Sequence, residues 1–128
     1  VSWGYDNRSA AGRVPDSDIQ AKRIEQRVSG ADAHPHLVIA AILAGAYHGL
    51  VEQINPGSPI EGDADSLKSP TLPTTWEAAL SAFETSDFVA EQLGVDYRKL
   101  YSACKRQEKE RIERIVSDVE YDTYLWSV

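Results

Sequence analysis

The chain has 128 residues, 42% hydrophobic and 26% charged, the size and balance of one ordinary globular domain. Its formal net charge of −7 argues against a nucleic acid or an anionic membrane as partner. The longest apolar run, residues 37–47, is too short to span a bilayer, and a single cysteine, Cys104, closes no internal disulfide, which fits the cytoplasm.

The opening Val1-Ser2-Trp3-Gly4 has neither the basic nor the apolar region of a signal peptide, and the sequence contains no Met. The expectation is of a chain that begins inside a longer one. Residues 1–30 read as strands. Trp3, Tyr5 and Val14 punctuate a first stretch to Pro15. Pro15-Asp16-Ser17-Asp18 is a turn signal, and Lys22–Ser29 alternates at period two. Together they predict a β-hairpin.

Residues 31–54 predict one helix with Pro35 in its first turn, where a missing N–H costs nothing. It is apolar on nearly every face from Leu37 to Leu50, the pattern of a buried helix, and Ala40, Ala41, Ala44, Gly45 and Gly49 leave room for a close neighbour. Residues 55–73, with four prolines, form a long loop of the kind that covers a site, meets a subunit or moves. Beyond it, Thr74-x-x-Glu77 matches a capping box. Ser86 can cap a second short helix ending at Gly94. A third helix is predicted from Asp96 to about Tyr124, with Tyr97, Leu100, Tyr101, Cys104, Ile112, Ile115 and Val119 as its apolar stripe. The Lys105–Arg114 run reads as a solvated face with pairs such as Glu110–Arg114. The fold class is therefore α+β, a short antiparallel hairpin followed by a mainly helical region.

Chemistry concentrates in Arg23-Ile24-Glu25-Gln26-Arg27. On a strand, Arg23, Glu25 and Arg27 share a face at spacings of about 6–7 Å, while Ile24 and Val28 point the other way, into a core. One account is a solvated strand face. The other is an anion-binding face whose carboxylate is kept ionised by two guanidinium groups. Such a carboxylate can bind Mg²⁺ or Mn²⁺, while the arginines clamp phosphate or carboxylate oxygens. Arg8 and Arg13 are five apart, so a regular strand separates them; a bulge at Gly12 would reunite them. Four arginines on neighbouring strands need something negative among them, and a nucleotide phosphate is the natural candidate. Elsewhere, His48 reads as a core or interface residue, Cys104 as a packing residue, and Trp3, Trp76 and Trp126 as core or subunit anchors. His34 and His36 lack the third ligand that a structural metal needs.

Asn7-Arg8-Ser9-Ala10, Arg13-Val14-Pro15, Arg23-Ile24-Glu25-Gln26-Arg27 and Gly30-Ala31-Asp32-Ala33-His34-Pro35 resemble consecutive C-terminal motifs of the glutamine synthetase superfamily. The end of the chain, from Cys104-Lys105 to Glu120-Tyr121-Asp122-Thr123-Tyr124-Leu125, is similar to members that ligate glutamate to polyamines. The resemblance implies that residues 1–128 are the C-terminal portion of the catalytic domain, with the N-terminal domain and the upstream catalytic part outside the chain. It implies an ATP-dependent ligase joining glutamate to an amine, ammonia or a polyamine, through a γ-glutamyl phosphate. Arg8 matches the arginine at the transferring phosphoryl group, and Arg27 the one near glutamate and the tetrahedral centre. Arg13 and Arg23 match arginines for ATP phosphates, and Glu25 a ligand of Mg²⁺ or Mn²⁺. The family's other metal ligands lie upstream of Val1, so this polypeptide alone is expected to be inactive.

Two departures stand out: His34-Pro35-His36 replaces the usual Asn-Pro-Tyr, and the Leu67–Pro73 loop has no tyrosine for adenylylation. A homo-oligomer is expected, because the apolar helix needs a cover. The different-class alternative is a non-catalytic scaffold or interaction module that retains the fold.

Overall fold

The computed structural model describes residues 2–66 and 72–127. Residues 67–71 of the tyrosine-lacking loop therefore lie outside the described residues. The chain divides into two compact units, Val1–Thr71 and Leu72–Val128.

The first unit holds a three-stranded sheet, β1 (Trp3–Tyr5), β2 (Gly12–Val14) and β3 (Glu25–Gln26), in that spatial order. The β2–β3 pair is antiparallel, as expected of the hairpin, and pairs Arg13 with Glu25. The first stretch is two strands rather than one, and β1 runs parallel to β2. The break between them falls at Asp6, whose φ is 46°, rather than at a bulge around Gly12. Asp6 tolerates the left-handed region better than most residues, because its short side chain bonds locally.

The described part of the proline-rich loop packs along the free edge of β1. The Ile60 amide donates to the Trp3 carbonyl at 2.8 Å, and the Trp3 indole N–H donates to the Gly57 carbonyl at 3.1 Å. Gly4 is required at this approach: a Cβ there would lie 2.8 Å from the Ile60 carbonyl oxygen. An otherwise exposed strand edge is thus covered by the chain's own loop.

Helix α1 (Pro35–Val51) starts on Pro35 as expected, but none of its residues is buried. Ile42, Leu43, Tyr47 and Leu50 are all exposed, and the Cβ positions of Gly45 and Gly49 have no neighbour within 4 Å. The expected burial of this helix is therefore corrected. An all-round apolar helix needs packing on several sides, and the two- and three-residue strands of this unit provide no surface broad enough. Ile24 and Val28, expected in a core, are exposed for the same reason.

The second unit is helical: α2 (Trp76–Thr85), α3 (Asp87–Leu93), α4 (Val95–Glu113) and α5 (Asp118–Tyr124). Thr75, not Thr74, caps α2, accepting from the Ala78 amide. Ser86 caps α3 as expected, and Gly94, at φ 96°, turns the chain from α3 into α4. The predicted third helix is two. Ser117 and Glu120 form a reciprocal capping box that starts α5 after a break. Both α2 and α3 pack on α4. Leu80 is 4% exposed, and the Phe83 and Tyr101 rings meet at 5.1 Å. The outer part of the expected stripe, including Leu100, Cys104, Ile115 and Val119, is exposed. Trp3 is half-buried, whereas Trp76 and Trp126 are exposed.

The charged run on α4 does more than face water. Arg106 grips Glu84 at 2.6 Å, and Lys109 reaches Glu77 at 3.3 Å and Glu113 at 2.8 Å. The pairs with Glu84 and Glu77 tie α2 to α4. The Glu110–Arg114 pair does not form; Lys109–Glu113 is the i,i+4 pair on this face. Leu80→Ala is expected to destabilise the helical unit by about 2–4 kcal/mol, the usual cost of emptying a buried leucine site. Urea unfolding followed by far-ultraviolet circular dichroism measures it, and an unchanged midpoint would contradict Leu80 as the centre of this core.

Candidate functional site

The cross-strand register places Arg13 on β2 directly opposite Glu25 on β3. Opposed positions on an antiparallel pair bring their side chains within reach of each other. Arg13 Nη1 donates to Glu25 Oε2 at 2.9 Å. Arg23 and Arg27, each two residues from Glu25, project on the same face. Arg23 Nη2 stands 3.2 Å from Glu25 Oε1, and Arg27 Nη1 stands 4.0 Å from Oε2. The period-two alternation holds in space: one carboxylate sits among three guanidinium groups.

Asp6 joins the cluster although no strand periodicity points to it. Its Oδ1 accepts from Arg13 Nη2 at 2.6 Å, and its Oδ2 accepts from the Asp16 amide at 3.1 Å. Arg13 is therefore held from both sides, with only 16% of its side chain exposed and its Nε without a partner. Asp6 escapes a search by periodicity, because its carboxylate arrives through a turn with positive φ. The Asp6-Asn7 pair, two residues that favour such turns, is the signal that marks it.

The electrostatics follow the geometry. The Arg13 hydrogen bond is the main cause holding the Glu25 carboxyl below its ordinary value of 4.5, with Arg23 adding to it and desolvation opposing it. The same bond to Glu25, helped by Asp6, raises Arg13. Two carboxylates against three guanidinium groups leave this cluster cationic in a chain of net charge −7.

Arg8 stands apart. It is exposed on the loop between β1 and β2 and joins none of these ion pairs. Arg8 and Arg13 are linked through the loop backbone rather than by a shared carboxylate.

Among the described residues, no three His, Cys, Asp or Glu side chains come together as a metal site. Glu25 alone is one donor with both oxygens already facing arginines, so the residues of this chain do not by themselves fit a divalent cation. The His34 and His36 rings lie 5.4 Å apart at the head of α1. No helix among the described residues is long and apolar enough to cross a membrane.

Fold and cluster together define an α+β chain with an arginine-rich face built around a single carboxylate. Residues 1–124 match the family described as Glutamine synthetase, catalytic domain. The chain is 37% identical over 125 residues to gamma-glutamylputrescine synthetase PuuA of Escherichia coli (strain K12), covering 98% of this chain and 26% of that protein. It is 32% identical over 127 residues to glutamate–isopropylamine ligase of a Pseudomonas species, covering 97% of this chain and 28% of that one. A solved structure, apo GmaS without ligand, superposes with a TM-score of 0.79 at 28% identity, over 98% of this chain and 30% of its own. The chain belongs to the glutamine synthetase family. It spans between a quarter and a third of the length of these relatives.

The lowered Glu25 carboxyl gives a pH prediction whose sign follows from linkage. A carboxylate with a depressed folded-state value contributes stability that is present above its unfolded value, near 4.5, and is lost as pH falls through the folded one. Glu25→Gln is therefore expected to be less stable than the wild type at pH 7, with the gap closing in acid. Urea midpoints at pH 7 and pH 3 test this, and a gap independent of pH would remove the ion pairs as its cause.

Proposed function

We propose that residues 1–128 form the C-terminal portion of the catalytic domain of an ATP-dependent glutamate–amine ligase that works through a γ-glutamyl phosphate. The observation that carries the reading is the Glu25 carboxylate ringed by Arg13, Arg23 and Arg27, with Arg8 exposed on the adjoining loop. Phosphoryl transfer is mostly positioning and charge neutralisation, which a cationic face of this kind supplies.

In this reading Arg8 meets the transferring phosphoryl group, and Arg27 meets glutamate at the centre where amine attack builds charge. Arg23, with 54% of its side chain exposed, is available to ATP phosphates. Arg13 is assigned to the same phosphates, and an incoming oxygen there would displace Asp6 or Glu25 from one of its Nη groups. Glu25 would give one carboxylate ligand to Mg²⁺ or Mn²⁺, and the remaining donors have to come from outside this chain. The acceptor is ammonia or a primary amine such as a polyamine. Relatives named for putrescine and isopropylamine, beside others named glutamine synthetase, support the class of amine, ammonia included, as acceptor. A cytoplasmic enzyme fits such metabolites.

An activity panel on the full-length protein, with glutamate, MgATP and several amines, tests the reading. Amine-dependent phosphate release is expected, and Glu25→Ala is expected to abolish it while leaving assembly intact. Unchanged turnover in that variant would favour the non-catalytic scaffold. The 128-residue chain by itself is expected to release no phosphate, and γ-glutamyl transfer by it would refute its incompleteness.

The exposed apolar face of α1 supports a homo-oligomer, because a patch of that kind is rarely left to water. Light scattering at high concentration is expected to give a dimer or larger species, and a monomer would count against it.

A further inference from the structure

The side chain of Asn7 has all its hydrogen-bonding groups engaged. Its Oδ1 accepts from the Ser9 amide at 3.0 Å and from Ser9 Oγ at 2.7 Å. Its Nδ2 donates to the Ile60 carbonyl at 3.1 Å and to the Gly62 carbonyl at 2.8 Å. Both donors and both acceptor positions of the amide are thus used, which leaves it one orientation. Ser9 Oγ in turn accepts from the Ala64 amide at 2.8 Å. The residues on either side of Arg8 are therefore bolted to segment 57–64, more than fifty positions downstream. Arg8 itself projects from this braced backbone, exposed.

We propose that Asn7 is a positioning residue for Arg8, and that segment 57–64, docked through it and through Ser9, sets where the Arg8 guanidinium stands. The inference rests on the reading that Arg8 faces the transferring phosphoryl group. An arginine on a free loop samples many positions, and a guanidinium contributes to a transition state only where it is held. The brace holds the backbone on both sides of Arg8 and leaves the guanidinium to the ligand. It also gives the proline-rich segment after α1 a task at the site, because its carbonyls are the anchors.

The test is a double-mutant cycle in the full-length enzyme. Asn7→Asp keeps the size of the side chain and its accepting oxygen toward Ser9, but turns a second acceptor against the Ile60 and Gly62 carbonyls. It is expected to lower kcat roughly 10- to 100-fold, the scale of a misplacement of about 1 Å, while KM for glutamate and for the amine changes by less than about twofold. In an Arg8→Ala background the same substitution is expected to cost nothing further. Ser9→Ala, a milder change on the same brace, is expected to repeat the pattern and carries the cycle if Asn7→Asp fails to fold. Independent, multiplicative losses in the double variant would overturn the proposal, as would wild-type kcat in folded Asn7→Asp. An Arg8→Ala variant with wild-type kcat would overturn the underlying reading of Arg8 and this inference with it, whereas multiplicative losses overturn this inference alone.

Discussion

The ion pair between Arg13 and Glu25 crosses the one antiparallel junction of the sheet, and the first unit is organised around it. The strands are two and three residues long, so their ladder bonds are few. Burial helps little: Gly4, Ala10 and Pro15 are the only buried residues of this unit among those described. The polar contacts therefore carry the register. Shifting β3 by one residue would turn Glu25, together with Arg23 and Arg27, to the opposite face and leave Arg13 without its cross-strand partner. Exposed ion pairs add little stability one at a time, so the gain from this network is chiefly geometric. It specifies which face of β3 meets β2.

The two units solve the same problem differently. The helical unit has a small true core around Leu80, with the Phe83–Tyr101 contact beside it and the Arg106–Glu84 and Lys109–Glu77 pairs across α2 and α4. The first unit has instead a helix whose apolar side chains face outward and a sheet held by backbone edges and arginines. That division fits a chain spanning between a quarter and a third of its relatives' length: the polar frame closes on itself, while the apolar helix does not.

What can be read from the residues follows from the range of each signal. The alternation of Arg23, Glu25 and Arg27 is local and has a fixed period, so the cluster is legible. So are Pro35 at the start of α1 and Ser86 and Gly94 around α3, since caps act within one turn. The parallel pairing of β1 with β2 is not, because it depends on bonds from Asn7 and Trp3 to residues 57–62. Asp6 is hidden because a backbone turn delivers it. The break between α4 and α5 is masked by Ile112, Ile115 and Val119, which keep a helical spacing across it, while Ser117 and Glu120 start a new helix. Neighbouring Thr74 and Thr75 both suit a cap, and composition does not choose between them.

The three arginines around Glu25 are not equivalent, and the difference bears on how an anion would enter. Arg13 is engaged by two carboxylates at 2.6 and 2.9 Å and is mostly shielded from solvent. Arg27 stands 4.0 Å from Glu25, and Arg23, though closer, is the most exposed of the three. An incoming phosphate or carboxylate competes with Glu25 for each guanidinium. It gains most where the existing bond is longest and the side chain is already in water, because less must be broken and less desolvated. Were an anion to bind as proposed, Arg27 and Arg23 would exchange partners before Arg13. On the proposed reading, the arginine held by Asp6 is the last to yield a bond to a phosphate, and its two neighbours exchange more readily.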